Sequence, residues 1–151
     1  RFLNPFNCEI YGNDIIEMNE YAQKNNIHLA EKKELFAHCD IITIHTPLTT
    51  ETKYMINSEV LDVMKSDAAI INTARGDIIN LKDLKEALDN NKIKGAAIDV
   101  YDQEPPQDSE LLKLPTLINT PHIGGNSKEA VFRMGKAAID HIINFRNLNN
   151  K

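Results

Sequence analysis

Short apolar runs bounded by turn residues alternate along this chain with stretches in which apolar positions recur every three or four residues. CEIYG leads to DIIEMNEYAQKNN, IHLA to EKKELFAHC, DIITIH to NSEVLDVMKSD and AAIINT to LKDLKEALDNN; GAAIDV and TLINT then lead to NSKEAVFRMGKAAIDHIINF. The first kind of segment suits a strand and the second an amphipathic helix, so the pattern predicts strand and helix in turn. Runs such as Ile41-Ile42-Thr43-Ile44 are apolar on both faces, as in parallel strands covered by helices on each side of a sheet. The expected fold class is α/β, a doubly wound parallel sheet.

Helix starts carry their own signals. Asn80 before Leu81, Leu84 and Leu88 reads as an N-cap with Asp83 in the first turn, and Asn126 or Ser127 followed by Glu129 is a near capping box. In the last helix Ala130, Met134, Ala137, Ala138, His141, Ile142 and Phe145 fall on one stripe of a 3.6-residue period, facing a core or a partner.

The chain has 151 residues, 42% apolar, with a formal net charge of -5. These values predict one globular domain with a core. No apolar run reaches the ~20 residues of a membrane span, and no charged n-region with an apolar h-region opens the chain. Lys and Arg are scattered rather than gathered, which argues against nucleic-acid and membrane surfaces. Cys8 and Cys39 lack metal or disulfide-framework spacing, so a soluble protein in a reducing cytoplasm is expected, with small molecules or copies of itself as partners.

In an open parallel sheet, ligands bind beyond the carboxyl ends of the strands. Those ends are polar here: Asn13-Asp14, His45-Thr46-Pro47, Thr73-Ala74-Arg75-Gly76, Asp99-Val100-Tyr101, and Thr120 through Gly125. Asp14 has no basic neighbour and either caps a helix beginning at Ile15 or accepts the hydroxyls of an adenosine ribose, which favours NAD over NADP. Arg75 offers a planar fork that matches a carboxylate, and Gly76 permits a close approach or sharp turn beside it. Glu104 is held by two prolines, and His122 is followed by Gly124-Gly125. Arginine, glutamate and histidine at successive strand ends supply an anion clamp, an orienting carboxylate and a general acid/base. Asp99 offers an acceptor for an amide such as nicotinamide carries, or simply caps a turn. His28, His38, His45 and His141 are expected to be structural. A metal site is disfavoured by the absence of HExxH, HxH or DxD pairings and by the arginine among the candidates. No GxSxG nucleophile occurs either.

The strings HTPLTTETKYMIN, NTARGDII, GAAIDVYDQEPP and TPHIGGNSKEA resemble the D-isomer-specific 2-hydroxyacid dehydrogenases, and the likeness runs through nearly the whole chain. The resemblance implies a Rossmann-type nucleotide domain in which Arg75, Glu104 and His122 match the substrate-binding arginine, the glutamate paired with the catalytic histidine, and that histidine. By the same match Asp14 corresponds to the ribose acid, while Thr46-Pro47, Thr73-Ala74-Arg75, Asp99, and His122 to Gly125 with Gly124 correspond to segments lining NAD. The implied activity is hydride transfer between NAD(H) and a D-2-hydroxy or 2-oxo acid, with a phosphoglycerate-dehydrogenase-like subtype and a dimer when full length.

RFLNPFNCEIYG resembles the end of the first helix and the second strand of that domain, so the GxGxxG cradle and the first strand are expected to be missing, as is the substrate domain. In the order 3-2-1-4-5-6 the missing strand is central, which would leave unpaired edges around a gap. Residues 1–151 are thus expected to be the C-terminal part of a longer enzyme and inactive alone. The alternative is a non-catalytic, NAD-responsive binding protein on the same scaffold, as corepressors of this family are.

Overall fold

Six short strands, all parallel to their neighbours, organise residues 3–149, which the computed structural model describes. In chain order the elements are β1 (Ile10–Gly12), α1 (Asn19–Asn25), β2 (Ile27–Leu29), α2 (Lys32–His38), β3 (Ile41–Ile44) and α3 (Ser58–Val63). There follow β4 (Ala69–Asn72), α4 (Leu81–Asp89), β5 (Gly95–Ile98), β6 (Leu117–Asn119) and α5 (Lys128–Asn149). A helix follows every strand except β5, which leads to β6 through a single 3-10 turn at Leu111–Lys113, in keeping with the hydrophobic pattern.

The strands form two sheets among the described residues, one of β1 and β2 and one in the order β3-β4-β5-β6. Register in the larger sheet aligns Ile42, Ile70, Ala96 and Leu117 across one face, with Ile44, Asn72 and Ile98 beside them. Against this face pack Phe36 of α2, Leu61 of α3, and Leu84, Ala87 and Leu88 of α4, making the core. The opposite face carries the row Thr43, Ile71, Ala97 and Ile118, and Ile41 and Ile118 are 65% and 71% exposed. The expectation that β3 is covered on both sides therefore fails: its burial alternates, because α2, α3 and α4 share a single layer.

Local capping explains where helices begin. Asn80 accepts from the Lys82 and Asp83 N–H groups, as expected of an N-cap, and Asn57 accepts from Val60 N–H at the start of α3. At α5 the cap is Ser127, whose Oγ accepts from Ala130 N–H. Glu129 then stands one position too early to close a capping box. The helix expected from Ile15 begins at Asn19 instead. Asp14 Oδ1 accepts from Ile16 N–H at 3.1 Å, closing a turn rather than capping a helix, and Ile15 and Ile16 project outward. The apolar stripe of α5 is likewise not covered among the described residues, with Met134 57% and Ile142 68% exposed.

The core face carries the stability. Leu84→Ala, which opens a void under the larger sheet, is expected to cost about 2–5 kcal/mol. Ile118→Ala on the bare face is expected to stay within about 0.5 kcal/mol. Denaturant midpoints of the two variants check the contrast.

Candidate active site

Because β3 to β6 run parallel and in register, the segments that follow them leave from one edge of the sheet. Thr46-Pro47 follow β3, Thr73 to Gly76 follow β4, Asp99 follows β5, and His122 to Gly125 follow β6. The structure thus gathers those candidates at one edge, whereas Asp14 follows β1 in the separate two-stranded sheet. There Asp14 lines an open cleft of about 470 Å³ together with Gly12, Asn13 and Glu31.

Glu104 and His122 form a direct pair. His122 Nδ1 lies 2.9 Å from Glu104 Oε1 and 2.8 Å from Oε2. The hydrogen bond from His122, with a second from Tyr101 N–H, holds the Glu104 carboxyl below the usual carboxylate range despite some desolvation. An ionised carboxylate only accepts, so Nδ1 carries the proton between them and donates it to Glu104, which leaves Nε2 as the exchanging nitrogen. Both side chains keep two-fifths to one-half of their surface exposed, so the pair is open to solvent. His122 takes a left-handed backbone conformation, φ 54°, uncommon for a residue with a side chain.

The loop that carries Arg75 rests on the backbone just before Glu104. A Cβ on Gly76 would lie 1.9 Å from the Tyr101 carbonyl carbon and 2.4 Å from Asp102 N, so the arginine loop lies directly on the segment leading to Glu104. Only glycine fits, for want of space rather than for a special φ. Asn72, fully buried, shapes the turn: its Nδ2 donates to Arg75 O at 2.9 Å and its Oδ1 accepts from Ala74 N–H at 3.0 Å. The Arg75 guanidinium is exposed and donates to Ala74 O. Asn72 escaped the sequence reading, although an amide closing an apolar strand just before TARG was the available signal.

Asp99 is 6% exposed beneath the loop after β6 and accepts from Thr120 Oγ1, Ile123 N–H and Gly124 N–H. Burial pushes its pKa up, but those hydrogen bonds and the nearby His122 outweigh it and hold the group below its ordinary value. Thr120 too was missed as a participant. Thr46 Oγ1 is buried without a hydrogen-bond partner among the described residues. A buried hydroxyl left unpaired is costly, so it fits a bound polar ligand such as a dinucleotide. Three other histidines lie elsewhere: His28 and His38 pack as tilted rings against Tyr11, with ring centroids 5.1 and 5.2 Å away, and His45 Nε2 pairs with Thr43 Oγ1. Among the described residues no three His, Cys, Asp or Glu side chains could hold a metal ion, and Cys8 and Cys39 are free thiols.

Residues 1–124 match the family model described as D-isomer specific 2-hydroxyacid dehydrogenase, NAD binding domain. The chain belongs to this family. It is 38% identical over 140 residues to the D-3-phosphoglycerate dehydrogenase of Bacillus subtilis, covering 93% of this chain and 27% of that protein. To the glyoxylate reductase of Korarchaeum cryptofilum it is 34% identical, with 93% and 43% covered. Among solved structures, a D-lactate dehydrogenase with NAD+ from Lactobacillus jensenii superposes with a TM-score of 0.83 at 26% identity, covering 97% of this chain and 48% of that one. The chain therefore has the Rossmann-type fold of the family's NAD-binding domain while spanning less than half the length of these relatives.

Two outcomes follow from this geometry. Gly76→Ala must push the Arg75 loop off Tyr101 and is expected to destabilise by about 1–3 kcal/mol, which the shift in thermal unfolding checks. Glu104 has a folded-state pKa below its unfolded value, so the stabilisation from its pair with His122 is complete above the ordinary glutamate range. That stabilisation disappears as pH falls through the depressed folded value. Carboxyl-carbon NMR of Glu104 across acid pH reads the midpoint directly.

Proposed function

We propose that the protein transfers hydride between NAD(H) and a D-2-hydroxy or 2-oxo acid, with 3-phosphoglycerate and its oxo acid as the first pair to test. The observation that carries this reading is His122 Nδ1 held against both oxygens of an ionised Glu104, at a sheet edge shared with Arg75. Asp14, the orphan hydroxyl of Thr46, Pro47, Thr73, Ala74, Asp99, Gly124 and Gly125 are the residues that would line NAD, which when bound supplies or accepts the hydride.

The chain's own residues do the rest. Arg75 turns its guanidinium to the substrate carboxylate and fixes which face of the C2 carbon is presented. Glu104 keeps the Nδ1 proton in place and aims the ring. His122 Nε2 gives a proton to the carbonyl oxygen in the reductive direction and removes it from the hydroxyl in the oxidative one. A glycine-rich cradle and a substrate domain would come from a longer polypeptide, which the chain's share of its relatives' length supports; in this reading that protein would act in the cytoplasm as a homodimer. An intact Glu-His pair weighs against the non-catalytic, NAD-responsive alternative.

Full-length protein assayed with NADH and a panel of 2-oxo acids tests the proposal. His122→Asn is expected to lower kcat by about 10²–10⁴-fold. Arg75→Ala is expected to raise the KM of the 2-oxo acid about 10- to 100-fold. Wild-type turnover in His122→Asn would overturn the assignment.

A further inference from the structure

The ends of β1 and β2 are joined by a side chain. Their parallel ladder aligns Gly12 with Leu29, and its last backbone rung runs from Ala30 N–H to Gly12 O at 3.1 Å. A further rung of the same ladder would take Ala30 O as the acceptor for Asp14 N–H. That carbonyl accepts from Asn13 Nδ2 instead, at 2.7 Å. A side-chain amide thus stands in for the backbone donor, as asparagine does where a chain leaves a sheet. Released from the ladder, the backbone turns at once. Asp14 Oδ1 accepts from Ile16 N–H at 3.1 Å, and Asp14 lines the cleft of about 470 Å³ that Asn13, Ala30 and Glu31 also border.

We propose that Asn13 is a positioning residue for Asp14: its amide ties the end of β1 to the end of β2 through Ala30 O, which fixes the width of the cleft while Asp14 turns to line it. This rests on Asp14 as a residue that lines NAD. The position needs a donor, because the atom it meets is a carbonyl oxygen, and an amide supplies one without adding charge beside the Asp14 carboxylate. The tie acts on the adenosine end of the cofactor and not on the proton-transferring pair, since Glu104 and His122 belong to loops of the other sheet.

Full-length protein carrying Asn13→Ala, Asp14→Ala or both is titrated with NADH and assayed with the 2-oxo acid that the wild type reduces fastest. Loss of the Asn13 donor is expected to weaken NADH binding about five- to tenfold. The KM for NADH rises in step, while kcat at saturating cofactor stays within about twofold. In the Asp14→Ala background the same substitution is expected to change NADH affinity by less than about twofold, because the group it positions is gone. Asn13→Leu, similar in shape but without a donor, is expected to repeat the Asn13→Ala result. Unchanged NADH affinity in Asn13→Ala overturns the inference. A fully additive loss in the double variant also overturns it and makes Asn13 a direct cofactor ligand. Wild-type protein that binds NADH but reduces no 2-oxo acid would sink the enzymatic proposal alone, and the titrations would then decide this one. Wild-type protein that binds no NADH overturns both.

Discussion

Parallel pairing is the constraint from which the site follows. A strand that returns beside its neighbour in the same direction delivers its carboxyl end to the same edge, whatever helix or loop lies between. The register of β3 to β6 does this repeatedly, so residues as far apart in sequence as Thr46 and His122 leave from one rim. The core beneath is plain in chemistry, mostly isoleucine, leucine and alanine, and its task is to keep four short strands in register. Side chains that bear chemistry sit one to six residues past the strand ends, where the backbone is free to turn.

Turning is controlled by polar atoms and by missing ones. Asn72 folds the segment after β4 through two hydrogen bonds to backbone, and Gly76 lets that segment rest on Tyr101 and Asp102. Tyr101 N–H in turn donates to Glu104, which takes hold of His122. Each loop is thus positioned by its neighbour as well as by its own strand. Arginine, glutamate and histidine belong to one mechanical unit although no strand carries two of them.

How much of this was written openly in the sequence depends on the range of the forces involved. Period and punctuation located every strand, because burial of alternate or successive apolar residues is a local pattern. The start of α1 was misplaced, since the Asp14 turn withdraws Ile16 N–H from the helical ladder and nothing rewards burying Ile15. Coverage of the sheet was overstated for a similar reason: an apolar run states that a face could be buried, not that anything lies upon it. At the rim the residue types of Arg75, Glu104 and His122 were legible, while the Glu-His distances, the buried Asn72 amide and the three donors on Asp99 arise from contacts between distant segments.

The bare side of the larger sheet has a practical consequence. Thr43, Ile71, Ala97 and Ile118 form a mostly apolar row in which Ile71 and Ala97 are half-buried and Ile118 is exposed, and among the described residues β3 is an edge strand of the sheet. Flat apolar bands beside open strand edges template pairing between molecules. At high concentration such surface favours self-association of this polypeptide, and polar replacements at the exposed Ile41 and Ile118 are the direct means of reducing it.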